Sequence, residues 1–139
     1  MTSSVAPLAD LEPFHVDGGW IAPGGRALIE VRDPSTGAVI SRVAQATAED
    51  VDAAVAAATR AYADRRWSGL APLERTRVLH RLADLIEAHL EELAVLETRD
   101  NGKPIERSRA DTGAAARAFR HFAGATSRLT GTVVPIDGG

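Results

Sequence analysis

Four histidines and several closely spaced carboxylates are the residues of this sequence that could do chemistry. His80 and Asp84 are one helical turn apart, so they could form a general base with its orienting acid, although an exposed i,i+4 pair explains the spacing more simply. The histidines do not fall at metal-ligand spacing, and none lies beside a nucleophile turn: His15, His80, His89 and His121. They predict no catalytic or metal centre.

The acidic pairs Glu91-Glu92 and Glu97/Asp100 could be read as general acid and base. That chemistry requires carboxyls from different elements that converge on a cleft, with one of them desolvated. Adjacent acids at the start of a helix do not indicate this arrangement, so we assign them to helix capping. The sequence has no cysteine, which excludes thiol nucleophiles, thiolate metal sites and disulfides within these residues.

Lys103 lies between Gly102 and Pro104 and is the most ambiguous candidate. A rigid turn could present its ammonium group to an anion or to a carbonyl substrate, but loop lysines are mostly solvated. The glycine pairs lack the strand, Gly-x-Gly-x-x-Gly and helix order of a phosphate cradle: Gly18-Gly19, Gly24-Gly25 and Gly138-Gly139. No nucleotide site is predicted within these residues.

Length and charge limit the class of protein. The 139 residues are the size of one domain, and a net charge of -3 without a basic stripe argues against a nucleic-acid partner. Residues 1–13 lack the features of a signal peptide and predict a flexible tail. No run approaches the roughly 20 apolar residues of a membrane span, so we expect a cytoplasmic protein without a membrane partner.

Residues 14–46 predict β-hairpins. Asp17-Gly18-Gly19 is typical of a type I′ turn between two short strands, because glycine adopts positive φ without a steric cost. Residues 27–32 and 39–43 alternate as strands do, and Asp33-Pro34-Ser35-Thr36-Gly37 joins them as a turn.

Residues 47–130 predict about four helices. Thr47 is a hydroxyl N-cap for the first helix, which ends near Arg65, and Pro72 opens the second. Apolar residues at helical spacing predict the buried stripes of these two helices: Val51, Val55, Ala58 and Tyr62, then Val78, Leu79, Leu82, Leu85 and Ile86.

The charge order along the second helical run predicts a break near His89. Arginines come early and glutamates late, which is the reverse of what one helix dipole favours. A third helix from about Leu90 would bury Leu93 and Leu96 and end at the left-handed cap Asn101-Gly102.

The last helix is predicted from Ala114, because residues 105–112 are polar and partly helical at best. Gly131 should end it, and residues 131–139 should be extended. Its predicted apolar face consists of Ala115, Phe119, Phe122, Thr126 and Leu129.

Four stretches, taken together, resemble the N-terminal portion of the aldehyde dehydrogenase superfamily. Their order and spacing over residues 14–139 carry the resemblance: Val16-Asp17-Gly18-Gly19-Trp20, Asp33 to Gly37 with Val39-Ile40, Arg81 to Pro104, and Phe119 to Gly124. It implies about the first quarter of an enzyme with an α/β fold. This portion would be hairpins and helices of the cofactor-binding domain, without the Rossmann sheet.

The resemblance implies a nicotinamide cofactor, NAD or NADP, an aldehyde substrate and a homodimer or homotetramer for the full-length enzyme. The family's catalytic cysteine, glutamate and asparagine and its cofactor-binding residues match none of these positions, so we expect no catalytic or cofactor-binding residue here and no activity of this chain alone. The family's substrate channel would match Ala114, Ala118 and His121. Its monovalent cation would match Asp100 and the carbonyls of Val31 and Arg32, although Asp100 could instead cap a turn.

The leading hypothesis is therefore an N-terminal fragment of a bacterial-type NAD(P)-dependent aldehyde dehydrogenase. The alternative is a non-catalytic helical interaction module or relic that docks on a full-length relative, and an independent cysteine-free enzyme ranks last. The fragment hypothesis predicts apolar helix faces that this chain leaves exposed.

Overall fold

The computed structural model of the chain describes residues 14–22, 24–128 and 130–132. The predicted tail, residues 1–13, and most of the predicted extended end lie outside the described residues. The elements in chain order are β1 (Phe14–Val16), β2 (Gly19–Ile21), β3 (Leu28–Arg32), β4 (Val39–Ala44), α1 (Ala48–Ala63), α2 (Pro72–Ala88), α3 (Leu90–Asn101) and α4 (Ile105–Ala125).

The strands form two separate antiparallel hairpins, as the sequence predicts. β1 pairs with β2 through a turn in which Asp17 and Gly18 have φ of 52° and 80°, the values that a type I′ turn needs. β3 pairs with β4, and the Gly37 amide donates to the Asp33 carbonyl at 2.7 Å across their turn. A register irregularity separates Val31 from Arg32.

The predicted helix boundaries are confirmed for the first three helices. Thr47 caps α1 in a reciprocal box with Asp50, and α1 ends one residue before Asp64. His89, with φ of -108° and ψ of 20°, separates α2 from α3. Gly102 then closes α3 in the left-handed conformation, with φ of 77°.

The predicted start and end of the last helix are wrong. α4 begins at Ile105 and ends at Ala125, rather than running from Ala114 to Gly131. Its polar first half is helical because Arg109 forms ion pairs with Glu91 of α3 and with Glu106, while Ser108 packs against α3 without exposure. The contacts with Glu91 and with the rest of α3 come from another element, so the periodicity of the segment itself could not indicate them.

Helices α2 and α3 both run antiparallel to α4. The Thr76 hydroxyl of α2 donates to the Ala123 carbonyl near the end of α4, at 3.0 Å. The hydroxyls of Thr98 and Ser108 share a hydrogen bond of 2.8 Å between α3 and the start of α4. The three helices therefore form one layer with α4 in contact with both neighbours.

Small residues fill the contacts between these helices. Ala83, Ala94, Ala116 and Ala123 are at most 1% exposed, and Ser108 is the largest side chain among the fully buried described residues. Small side chains let helix backbones approach closely, but they bury little apolar surface. The layer is therefore tightly joined and has a thin core.

Large apolar residues lie mainly on the outside, so several predicted buried stripes are wrong for this chain. On α1, Val51, Val55 and Tyr62 are 54%, 60% and 81% exposed, while the buried residue is Ala57. On the other helices, six residues that were predicted to be buried are also exposed: Val78, Leu82, Leu85, Leu93, Leu96 and Phe122. The reason is that the described residues cover these faces only partly or not at all. No helix in the described ranges has the length and apolar character needed to cross a membrane.

Candidate functional site

A groove of about 610 Å³ lies between the β3–β4 hairpin and the helical layer, and we call it the hairpin groove. Its floor is apolar, with Val31, Ile40 and Val43 from the hairpin facing Ile86, Leu93, Leu96 and Ala115 from the three helices. Polar residues lie along the rest of its lining: Ser41, Glu97, Asp100, Asp111 and Thr112.

Lys103 forms an ion-pair cluster with two residues of the groove lining. Its ammonium donates to Asp111 Oδ2 at 2.8 Å and to Glu97 Oε1. The hydrogen bonds to Asp111 and Glu97 raise the pKa of Lys103, and the same contact lowers the pKa of Asp111. A lysine whose pKa is raised remains protonated at neutral pH and is a poor nucleophile. The hypothesis of a reactive lysine is therefore not supported.

Two arginines of α4 connect the helical layer. Arg109 donates to both carboxylate oxygens of Glu91, at 2.9 Å and 2.6 Å, and Arg120 binds both Asp84, at 2.8 Å, and Glu87. Hydrogen bonds from these guanidinium groups lower the pKa of Glu91 and of Glu87. Charge-assisted bidentate bonds of this kind fix the relative position of two helices.

The contacts of Glu91, Glu92 and Glu97 differ from the predicted capping role. Glu91 and Glu92 do lie in the first turn of α3, where their charge suits the helix dipole. No side chain caps that helix start, however, because Glu91 binds Arg109 and Glu92 Oε2 lies 3.0 Å from His89 Nδ1. Glu97 binds Lys103. Glu91 and Glu97 thus join α3 to α4 and to the turn after α3, whereas the contact of Glu92 is local.

The histidines make no catalytic pair in the described part of the chain. Asp84 pairs with Arg120, not with His80. His15 and His121 instead lie edge-on against Trp20 and Phe122, with ring centroids 5.0 Å and 5.3 Å apart. No group of three or more histidine, aspartate or glutamate side chains within the described ranges is arranged to hold a metal ion.

The structure places the cation candidates Val31, Arg32 and Asp100 beside the hairpin groove. Val31 and Asp100 both line the groove, and Arg32 follows Val31 at the irregularity of β3. Asp100 is exposed in the last turn of α3. A strand irregularity typically leaves one residue out of the ladder, and carbonyl and carboxylate oxygens are ligands of a type that suits hard cations.

The substrate-channel candidates share one outward face of α4. Ala114, Ala118 and His121 are all exposed and follow one another at steps of four and three residues. Phe122, next to His121, is 62% exposed. We call these four residues the outer α4 stripe. The spacing of Ala114, Ala118 and His121 indicates their common face. Phe122 was predicted to lie on the apolar face of the helix instead.

The described glycine pairs do not fit a nicotinamide dinucleotide. Gly18 and Gly19 lie at the β1–β2 turn, and Gly24 and Gly25 lie in a turn before β3. Neither pair opens a helix, whose N-terminal amides would be needed to hold a pyrophosphate.

Known proteins resemble this chain over most of its length. The sequence model of the aldehyde dehydrogenase family matches residues 20–139. Aldehyde dehydrogenase family 2 member B4, a mitochondrial protein of Arabidopsis thaliana, is 43% identical over 124 residues, which are 88% of this chain and 23% of that protein. The NADP/NAD-dependent aldehyde dehydrogenase PuuC of Escherichia coli K12 is 42% identical over 86% of this chain and 24% of that protein.

The fold of this chain also resembles that of solved aldehyde dehydrogenases. The NAD+ complex of an aldehyde dehydrogenase from Bacillus cereus superposes with a TM-score of 0.82 at 37% identity, over 91% of this chain and 26% of that one. The chain thus spans about a quarter of the length of the relatives that it matches, as the resemblance implied. The match over residues 20–139 and the identity of 43% to a curated relative show that this chain belongs to the aldehyde dehydrogenase family.

Proposed function

We propose that this chain forms the N-terminal part of an NAD(P)-dependent aldehyde dehydrogenase, an enzyme that oxidises an aldehyde to a carboxylic acid. The observation that carries the proposal is a family match over nearly the whole chain that spans only about a quarter of the relatives' length. In this proposal the enzyme is a cytoplasmic homodimer or homotetramer, and the present residues belong to its cofactor-binding domain.

This part of the enzyme contributes structure rather than reacting groups. The cofactor, NAD or NADP, would accept the hydride elsewhere in the enzyme, since the described residues offer no fitting phosphate cradle and the sequence offers no cysteine. The helical layer, fixed by Arg109 and Arg120, would hold apolar faces in position for the rest of the protein to pack against.

Two finer roles belong to the same proposal. The outer α4 stripe, with Ala114, Ala118 and His121, would border the substrate entrance, and its exposure in this chain supports that role. Asp100, with the carbonyls of Val31 and Arg32, would bind a monovalent cation; their position at one groove and at a strand irregularity supports this role.

A chimaera tests the proposed function. This chain would replace the matching quarter of Escherichia coli PuuC, and aldehyde-dependent NADH or NADPH formation would be measured. We expect activity from the chimaera, and only background from this chain alone and from PuuC lacking that quarter. A soluble, folded chimaera without activity would contradict the proposal, and so would robust turnover by this chain alone.

The exposed helix faces also favour a second candidate, a non-catalytic module that docks on a full-length relative. The exposed apolar face of α1 could pack against a separate protein as well as against the rest of its own polypeptide; it consists of Val51, Val55 and Tyr62. A module of this kind must be stable alone, so cooperative unfolding of the isolated chain would favour it.

A further inference from the structure

Asn101 is the only asparagine of the sequence, and a glycine follows it directly. Asparagine is one of the chemically labile residues, and a following glycine favours its reaction because no side chain shields the glycine amide nitrogen. Asn101 is exposed in the last turn of α3. The Asn101-Gly102 pair therefore has a chemistry that its role at the end of the helix does not use.

The reaction open to this pair is deamidation through a succinimide ring. The Gly102 nitrogen gives its proton to a solvent base and forms a bond to Asn101 Cγ. The bond between Cγ and Nδ2 breaks, and Nδ2 leaves as ammonia with a proton taken from solvent. Water then opens the ring at one of its two carbonyl carbons. Opening at Cγ gives aspartate, and opening at the main-chain carbon gives isoaspartate.

The fold keeps the reacting atoms of Asn101 and Gly102 apart. The Gly102 amide donates to the Thr98 carbonyl at 2.9 Å, so its nitrogen is engaged in the last turn of α3. Asn101 Oδ1 accepts from the Lys103 amide at 3.0 Å, which fixes the asparagine side chain. The succinimide ring includes the Cα–C bond of Asn101, so closing the ring turns ψ away from the helical value of about -42°. Asn101 can therefore react only after the end of α3 opens.

Contacts with two other elements keep this end of α3 closed. Pro34, in the turn of the β3–β4 hairpin, lies so near that a Cβ atom built on Gly102 would come within 2.7 Å of Pro34 Cγ. The ammonium of Lys103 binds Asp111 of α4 at 2.8 Å and also binds Glu97. Local opening must break or strain these contacts, so the hairpin and α4 determine how often the end of α3 opens.

We propose that Asn101 is a site of spontaneous deamidation and that the contacts closing the end of α3 control its rate. The site does not depend on the proposed function, because the reaction involves only atoms of this segment and water. Isoaspartate adds a methylene group to the main chain and a negative charge to the turn, so Gly102 cannot return to both Thr98 and Pro34. The modification therefore records that the end of α3 has opened, and it prevents that end from closing again.

The absence of a second asparagine makes the reaction measurable at one position. The full chain is incubated in mildly alkaline buffer, with and without guanidinium chloride. Peptide mapping by mass spectrometry then separates the asparagine, aspartate and isoaspartate forms of the segment at position 101. We expect the chain in buffer to react on the order of tenfold or more slowly than the denatured chain, because its reaction requires local opening.

Two variants loosen the end of α3 and leave the reacting residues unaltered. Pro34→Ala removes most of the ring that packs on Gly102, and Asp111→Ala removes one carboxylate that binds Lys103. Each should speed the reaction in buffer at least roughly threefold and leave the rate in guanidinium chloride unchanged. Pro72→Ala makes the same proline change at the start of α2 and is the matched control, with no expected effect.

Three results would overturn the proposal. Equal rates in buffer and in guanidinium chloride would show that the fold does not control the reaction. Rates in buffer that neither Pro34→Ala nor Asp111→Ala raises above that of Pro72→Ala would show that these contacts do not limit opening. A denatured chain that forms no aspartate or isoaspartate at position 101 would show that the pair is not a deamidation site.

Discussion

Gly102 lies directly against Pro34. A Cβ atom built on Gly102 would come within 2.7 Å of Pro34 Cγ, and Gly102 itself has φ of 77°. The left-handed cap of α3 therefore packs on the turn of the β3–β4 hairpin. The rigid proline ring could not move to make room for a side chain at position 102. This contact joins the hairpin to the helical layer.

Gly102→Ala should consequently destabilise the chain more than Gly37→Ala does. Both positions have positive φ, which costs alanine roughly 1–2 kcal/mol, but a Cβ on Gly37 would meet nothing within 4 Å. Urea midpoints from the helical circular dichroism signal provide the measurement. Pro34→Ala should recover part of the loss caused by Gly102→Ala. Equal midpoints for the two glycine variants would show that the contact does not form.

Lys103, the only lysine of the sequence, should react slowly with amine reagents. Its ion pairs with Asp111 and Glu97 raise its pKa, so the fraction of free amine near pH 8 is lower than in an unpaired lysine. Reductive methylation resolved by peptide mapping measures this rate. Glu97→Gln combined with Asp111→Asn should accelerate the reaction. Faster labelling of the unaltered chain than of a lysine peptide would restore the reactive-lysine hypothesis.

Asp50 should make the start of α1 sensitive to acid. The Arg26 guanidinium binds both of its oxygens, at 2.7 Å and 2.9 Å, and lowers its pKa below the ordinary value of 3.8. A carboxylate with a lowered pKa stabilises the fold fully above its unfolded pKa and loses this contribution as pH falls towards the folded value. The urea midpoint of Asp50→Asn should thus lie below that of the unaltered chain at pH 7 and approach it below about pH 4.

Asp52→Asn is the matched control, since Asp52 is exposed two residues further along the same helix. We expect its midpoint to follow the unaltered chain at every pH. A gap between Asp50→Asn and the unaltered chain that stays constant from pH 7 to pH 3 would contradict the assignment.

Ser108→Leu should separate α3 from the first half of α4. Ser108 has no exposed surface, and its hydroxyl is bonded to that of Thr98. Extra methylene groups in a packed contact cost about 1–3 kcal/mol, whereas Ser108→Ala loses about 1 kcal/mol for the hydrogen bond. Hydrogen exchange of the α3 amides should rise far more in the leucine variant. Unchanged exchange would show that the two helices are not in close contact.

The sequence predicts those features whose cause is local. The turn at Asp17-Gly18, the cap at Thr47 and the stop at Gly102 each follow from the chemistry of a few adjacent residues, and the structure confirms them. The break at His89 follows from the order of charges within one helical run, and it is confirmed as well. Family membership could also be predicted, because the order of the motifs is distinctive. The contact between Gly102 and Pro34 could not be predicted, because no residue near either of them in sequence indicates that the two meet.

The features that depend on a second element were predicted poorly. The first half of α4 looks polar in sequence, and its contacts with α3, namely the Arg109–Glu91 ion pair and the buried Ser108, explain its helical state. The apolar stripe of α1 has helical spacing, yet nothing among the described residues covers Val55 or Tyr62. Trp20 and Trp67 are likewise 72% and 46% exposed. Periodicity indicates a face, and the packing partner decides whether it is buried.

We infer that this chain is one layer of a larger enzyme and that the remainder of the enzyme covers its apolar faces. Thermal unfolding of the isolated chain, followed by circular dichroism and calorimetry, tests it most directly. A self-sufficient domain of 139 residues would unfold cooperatively with an enthalpy of about 95 kcal/mol. We predict a broad transition with a van't Hoff enthalpy less than about half that value. A sharp transition of a monodisperse chain, with the full enthalpy by both methods, would contradict the claim.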